Sequence, residues 1–142
     1  MINLPRSVRL LLPFLTAVVL GAVDNTRLEL EPARSSPAKG KHVVLLSGDE
    51  EYRSEEALPM LAKILSQSHG FKTTVLFALD ADGTINPTNP HSLPGAEALD
   101  SADVIIMSLR FRAWSDEAMK HFVAAHQRGG AHYCAPHFYP RF

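Results

Sequence analysis

A chain of 142 residues with a net charge of −1, 46% hydrophobic and 20% charged, has room for one globular domain. That near-neutral balance excludes the basic footprint of a nucleic-acid-binding protein, so no nucleic acid is expected as a partner. The single cysteine, Cys134, excludes an intrachain disulfide framework.

In chain order, the first segment reads as an export signal. Arg6 and Arg9 precede an apolar stretch, residues 10–23, that contains Pro13. The stretch is shorter than the roughly 18–20 residues of a membrane-spanning helix. It matches the apolar core of a signal peptide. Residues 1–23 are therefore expected to direct the chain to the periplasm or the exterior, with an uncleaved anchor as the alternative. Either way this segment is the only expected contact with a membrane. Residues 24–41, with Pro32, Ser35, Ser36, Pro37 and Gly40, read as a linker.

The folded unit is expected over residues 42–130. Residues 43–47 form an apolar run suited to a strand covered on both faces. Ser54 is the expected N-cap of a helix, with Glu55 and Glu56 in its first turn, and Pro59 either starts the regular helix or costs it one hydrogen bond near its beginning. Leu58, Leu61, Ile64 and Leu65 form the apolar stripe of that helix, and Gly70 ends it. A second strand is expected at 73–79. The loop that follows, residues 80–95, is long enough to be functional or mobile. A third strand is expected at 104–108, followed by a helix at 116–128 capped by Ser115, with Met119, Phe122, Val123 and His126 on one face. His126 reads as a partly buried core histidine. Alternation of strands and helices predicts an α/β fold, a flavodoxin-like three-layer parallel sheet. Residues 131–142, with two prolines and no β-branched residue, make a poor further strand, so the sheet is expected to be incomplete at this end.

Two loops carry candidate chemistry. After the first strand come Asp49, Glu50, Glu51, Tyr52 and Arg53. Neighbouring carboxylates can serve as acid and base, hold a cation, or accept hydrogen bonds from sugar hydroxyls. Glu50 and Glu51 are the candidates for proton transfer, and Asp49, Tyr52 and Arg53 for ligand binding. The plain alternative is a solvated loop capping a helix. After the third strand come Arg110, Phe111, Arg112 and Trp114. Here Arg110, Arg112 and Trp114 could clamp an anion or stack on a sugar face. The alternative has Phe111 and Trp114 packing on the sheet while the arginines stay in solvent. Both loops leave the ends of neighbouring parallel strands where α/β sheets bind ligands, so they are expected to face each other across a crevice. Asp80, Asp82 and Gly83 resemble only part of a calcium loop and read as a surface turn. His69, His91, His121 and His126 have no metal-ligand spacing. Neither a metal nor a cofactor is expected.

Three segments, LLSGDEEYRSEEALPMLAKIL, HGFKTTVLFALDADGTINP and ALDSADVIIMSLRFRAWSDEAMKHF, resemble in order the ThuA (trehalose-utilisation-like) family of the class I glutamine amidotransferase-like superfamily. The resemblance covers about residues 42–130. It implies a flavodoxin-like fold, a role in carbohydrate metabolism and a sugar or keto-sugar ligand, with no particular reaction; the alternatives are a non-catalytic ligand- or partner-binding exported module, or a non-functional gene fragment. It also implies no glutaminase activity, since ThuA-like members lack the amidotransferase cysteine.

After Gly130 the family continues approximately PIIALRTSTHAF, whereas this chain reads AHYCAPHFYPRF. Codons for the observed tail, read from the second base of the Ala131 codon, are compatible with the family continuation at every position. Residues 131–142 are therefore expected to be a frameshift product and the domain a truncated one. On this reading Cys134, with His132 and His137, forms neither a zinc site nor a nucleophile–base pair.

Overall fold

The computed structural model describes residues 26–33, 40–129 and 131–134. The expected signal segment and most of the tail lie outside the described residues. Five strands and two α-helices form a single mixed α/β sheet structure. The elements are β1 (Arg27–Leu30), β2 (His42–Gly48), α1 (Ser54–His69), β3 (Lys72–Phe77), a 3-10 helix (Ala96–Ser101), β4 (Val104–Leu109), α2 (Asp116–Gln127) and β5 (Ala131–Cys134). The sheet order is β1-β3-β2-β4-β5. The pairs β3–β2, β2–β4 and β4–β5 are parallel, and β1 lies antiparallel against β3.

Two expectations are corrected at the sheet's edges. Part of the expected linker is β1, whose four residues pair with Thr73 to Leu76. Leu28 and Leu30 pack on the core, which proline and serine content around them concealed. The segment after Gly130, expected to be a poor strand, supplies β5. As a four-residue edge strand it needs hydrogen bonds on one side only, and it ends before Pro136.

Alternation along the strands divides the core. Val44 and Leu46 of β2 join Ile105, Met107 and Leu109 of β4 beneath α2 and the 3-10 helix. Val43 and Leu45 face the other way with Val75, Phe77, Leu58 and Ala62 of β3 and α1. β2 is buried along its whole length, so its near-continuous apolar run has neighbours on both faces.

The helices sit differently from the expected stripes. In α1 the fully buried positions are Ser54, Leu58, Ala62 and Ser66, while Ile64 is largely exposed. In α2 the seam against the sheet is Ala118, Phe122 and Ala125, and Met119 and Val123 face outward. Small residues allow closer approach to a pleated surface, so volume shifts each stripe from the one hydrophobicity alone indicates. His126 is exposed, correcting its expected burial, and its Nδ1 lies 3.4 Å from His132 Nε2. Ser115 caps α2 as expected, accepting from Ala118 N. Gly70 ends α1 at φ 70°, a left-handed turn that closes with Gly70 N and Phe71 N donating to Ser66 O and Leu65 O.

His42 opens β2 in a buried polar chain. Ser101 Oγ donates to Ala98 O, so it accepts from His42 Nδ1 at 3.0 Å, which leaves His42 Nε2 to accept from Thr74 Oγ1 at 2.9 Å. Burial, and then the nearby Lys72 charge, push this imidazole below its ordinary 6.5. The unfolded chain therefore binds a proton that the folded chain resists, in the window from pH 6.5 down to the depressed folded value. Stability rises with pH across that window and falls on acidification. Asp103, held below its ordinary 3.8 by Lys41 and His42 N, acts only at more acid pH. Thermal melts are expected to drop between pH 7.5 and pH 5.5, and His42→Gln should flatten that slope. An unchanged slope in the variant would remove His42 as the cause.

Candidate functional site

The chain passes from β2 to β3 on one side, then crosses back to β4 on the other. The carboxyl ends of β2 and β4 are therefore adjacent while their loops diverge, into α1 on one face and α2 on the opposite one. This is the switch point at which open α/β sheets form a crevice. Both candidate loops lie there, as expected.

The β2–α1 loop is built by buried polar groups. Ser54 is the first residue of α1, not its cap, and Arg53 occupies the cap position in a left-handed conformation (φ 51°, ψ 50°). The Ser54 hydroxyl is buried and saturated: it accepts from Asp49 N at 2.8 Å, donates to Asp49 O at 3.1 Å and lies 3.0 Å from Ser47 Oγ. The Asp49 carboxylate is turned inward, where its Oδ1 accepts from Glu51 N and Tyr52 N. Asp49 thus shapes the loop and is withdrawn from any ligand. Arg53 pairs with Glu56 on the outer surface of α1 and also stands apart from the crevice.

The β4–α2 loop answers it. Arg110 N donates to Gly48 O, joining the two strand ends. The Arg110 guanidinium reaches across to an ion pair with Glu51 and lies 3.6 Å from Glu50 Oε1. It also sits 4.9 Å above the Phe111 ring. Phe111 adopts φ 50°, and with Arg53 it is one of two non-glycine residues at positive φ among the described residues. A bulky residue there carries local strain, and the two strained positions stand one on each loop.

Arg112 has a different task. Its side chain is 8% exposed, and its three nitrogens donate to Arg110 O, Asn89 O and Pro87 O at 2.6–2.8 Å. Burial pushes its pKa down, against the raising influence of Glu50 and then Asp49. Arg112 is therefore a clasp holding the long loop to the β4 loop. Ala113 N donates to Pro90 O and the His91 ring bonds Ala113 O, completing the seam. Inside the long loop, Asn86 and Asn89 amides donate to the Asp80 carboxylate, so this segment is a built wall. Gly48 is required where Arg112 crosses the end of β2: an added Cβ would lie 3.0 Å from its Nη1.

Trp114 packs against the core, its ring 6.3 Å from that of Phe122, and is not presented to the crevice as a stacking platform. Of the sequence candidates, Glu50, Glu51 and Arg110 come together at the switch point, whereas Tyr52, half-exposed, lines a shallow groove on α1 with Arg53, Glu56 and Met60. Asp49 and Arg112 support the loops. Asn89 is a contributor without a signal in the sequence, and Phe111, named there only for packing on the sheet, lies against the Arg110 guanidinium instead. Among the described residues no group of three or more His, Cys, Asp or Glu is placed to hold a metal ion, and no helix is long and apolar enough to cross a membrane. In comparisons with known proteins, no family model, curated protein or solved structure matches this chain.

Proposed function

We propose that this is an exported, ThuA-like domain of flavodoxin-like topology that binds a small carbohydrate, a sugar or keto-sugar, in the crevice between β2 and β4. The observation that carries the reading is the Glu50–Arg110–Glu51 cluster bridging the two loops at the switch point. Carboxylates accept from hydroxyl groups and a guanidinium donates to hydroxyl or carbonyl oxygens. A neutral polyol can therefore insert into the cluster and satisfy both kinds of group without changing its charge. Phe111, exposed and with its ring against the Arg110 guanidinium, offers apolar surface beside it for a sugar face. Both carboxylates are already engaged by one arginine, which favours binding over turnover as the primary role. The flavodoxin-like assignment rests on the parallel β3-β2-β4-β5 order with helices on both faces. The export reading rests on the apolar residues 10–23 behind Arg6 and Arg9. The truncation reading rests on the reading frame of residues 131–142, and resequencing across the Gly130 codon tests it.

Arg110→Ala tests the crevice. Neutral monosaccharides and 2-keto sugars, titrated against the isotope-labelled chain, are expected to shift amides of residues 49–53 and 110–114. The substitution should weaken that binding by about tenfold or more, the loss of one charge-assisted hydrogen bond. Melting should barely change, because exposed ion pairs contribute about 0–1 kcal/mol. Absence of shifts at millimolar sugar, or shifts confined to other elements, would sink the carbohydrate reading.

A further inference from the structure

The charged groups of the crevice differ in what they can still offer. All three guanidinium nitrogens of Arg112 are committed to backbone carbonyls, and the buried side chain presents no fork to a ligand. Arg110 keeps N–H groups within reach, but its charge is already answered by the ion pair with Glu51. It engages the second carboxylate less closely. Glu50 Oε1 stands 3.6 Å from Arg110 Nη1, and Glu50 Oε2 stands 3.9 Å from Arg112 Nη2. Both separations exceed hydrogen-bond length. Among the described residues no donor reaches hydrogen-bond distance of either Glu50 oxygen. Asp49 is the opposite case, buried and with its Oδ1 filled by two amides. Glu50 is thus the carboxylate of this loop with both oxygens open, and its side chain is 33% exposed, so a ligand can reach it.

The surrounding charge limits what can fill that opening. Asp49, Glu50 and Glu51 stand against Arg110 and Arg112, an excess of one negative charge. The wall formed by the long loop adds to the same sign, because residues 80–95 contain Asp80 and Asp82 and neither lysine nor arginine. An entering phosphate or carboxylate would meet this excess, and would have to draw Arg110 away from Glu51 to find a countercharge. An entering ammonium would meet the two guanidiniums that flank Glu50. A neutral hydroxyl meets neither penalty. An ionised carboxylate is an acceptor only, and its two oxygens are spaced to accept from hydroxyls on adjacent carbons, a pair that most sugars carry.

We infer, resting on the carbohydrate reading of this crevice, that Glu50 is its specificity-determining residue: the Glu50 carboxylate accepts from two adjacent hydroxyls of a neutral sugar, and the crevice refuses sugar phosphates and sugar acids. Arg110 and Glu51 hold each other and the two loops, while Glu50 takes the ligand. The arginines do not form the anion clamp that their place in the sequence suggests.

Matched titrations of the isotope-labelled full chain test it: D-glucose against D-glucose 6-phosphate, and D-fructose against D-fructose 6-phosphate, at low ionic strength. The readout is the amides of residues 49–53 and 110–114. The neutral sugar of a pair is expected to bind at least about tenfold more tightly than its phosphate. Glu50→Gln should weaken the neutral sugar by about tenfold, through loss of a charged acceptor. It should also narrow the advantage over the phosphate by about threefold or more, because a repelling charge is gone. Glu50→Asp draws the carboxylate back but keeps its charge, so it should weaken binding and leave the advantage intact; it stands in if Glu50→Gln does not fold. A purely structural role for Glu50 would weaken both members of a pair alike. Melting should barely change in either variant, since these part-exposed ion contacts contribute little. A phosphate that binds as tightly as its parent sugar, or a Glu50→Gln variant with unchanged neutral-sugar affinity or an unchanged advantage, would overturn the inference and leave a carbohydrate site standing. Failure of all four compounds to shift these amides would overturn it together with the carbohydrate reading.

Discussion

Replacing Arg112 with methionine is expected to destabilise the fold by about 2–4 kcal/mol, although the residue lies on a loop beside the candidate site. Three backbone carbonyls, those of Pro87, Asn89 and Arg110, accept from its guanidinium. Each carbonyl left dry and unpaired costs on the order of 1 kcal/mol or more, while water reaching some of them limits the total. A methionine of similar volume keeps the packing, so the loss isolates the hydrogen bonds. For a domain of this size the melting temperature should fall by roughly 10–20 °C. Lysine should recover little, because one ammonium cannot span three carbonyls that a planar fork serves. Amide exchange across residues 79–91 should rise with the melt, since the long loop loses its clasp. A variant melting within a degree of the parent, with unchanged exchange, would show that the loop is held elsewhere. Gly48→Ala should give a weaker form of the same defect, pressing a Cβ against Arg112 from the end of β2.

The second large effect is expected from Ser54→Ala, at about 1.5–3 kcal/mol. The deleted hydroxyl is buried and joins Asp49 N, Asp49 O and Ser47 Oγ. Its removal leaves a buried amide donor without that partner, the costly case. Because Asp49 also organises the amides of Glu51 and Tyr52, the damage should spread into the loop that presents Glu50 and Glu51. Chemical denaturation should show the lower midpoint without a change of slope, which marks lost stability and not a changed denatured state. Exchange of the Glu51 and Tyr52 amides should accelerate beyond the global loss. If stability falls but those amides keep their protection, Ser54 is a core residue without a role in the loop.

These two residues illustrate why part of the candidate site was hidden. Arg112 and Asp49 look like Arg110 and Glu51 in the sequence, one charge among neighbours of the same kind. Only folding sends one arginine to the carbonyls of a loop more than twenty residues earlier and leaves the other against two carboxylates. A charged side chain's role depends on which polar groups surround it, and those come from distant parts of the chain. Trp114 was lost from the site for a similar reason. Phe122, in the second turn of α2, lies close enough to draw its ring toward the core.

The sequence by itself determined the succession β2, α1, β3, β4, α2, because hydrophobic period and capping residues are local properties. It also determined that two polar loops would leave the same end of adjacent strands, since parallel connection follows from strand–helix alternation. The tertiary structure decided the rest. It placed β1 and β5 at the edges, where short strands form by pairing with a sheet that already exists. It chose Ala118 and Ala125 over Met119 and Val123 for the seam of α2, because close packing selects volume as well as hydrophobicity. And it separated the charges of the crevice into those that build its walls and those that face across it, a distinction set by burial and by partners far apart in the chain.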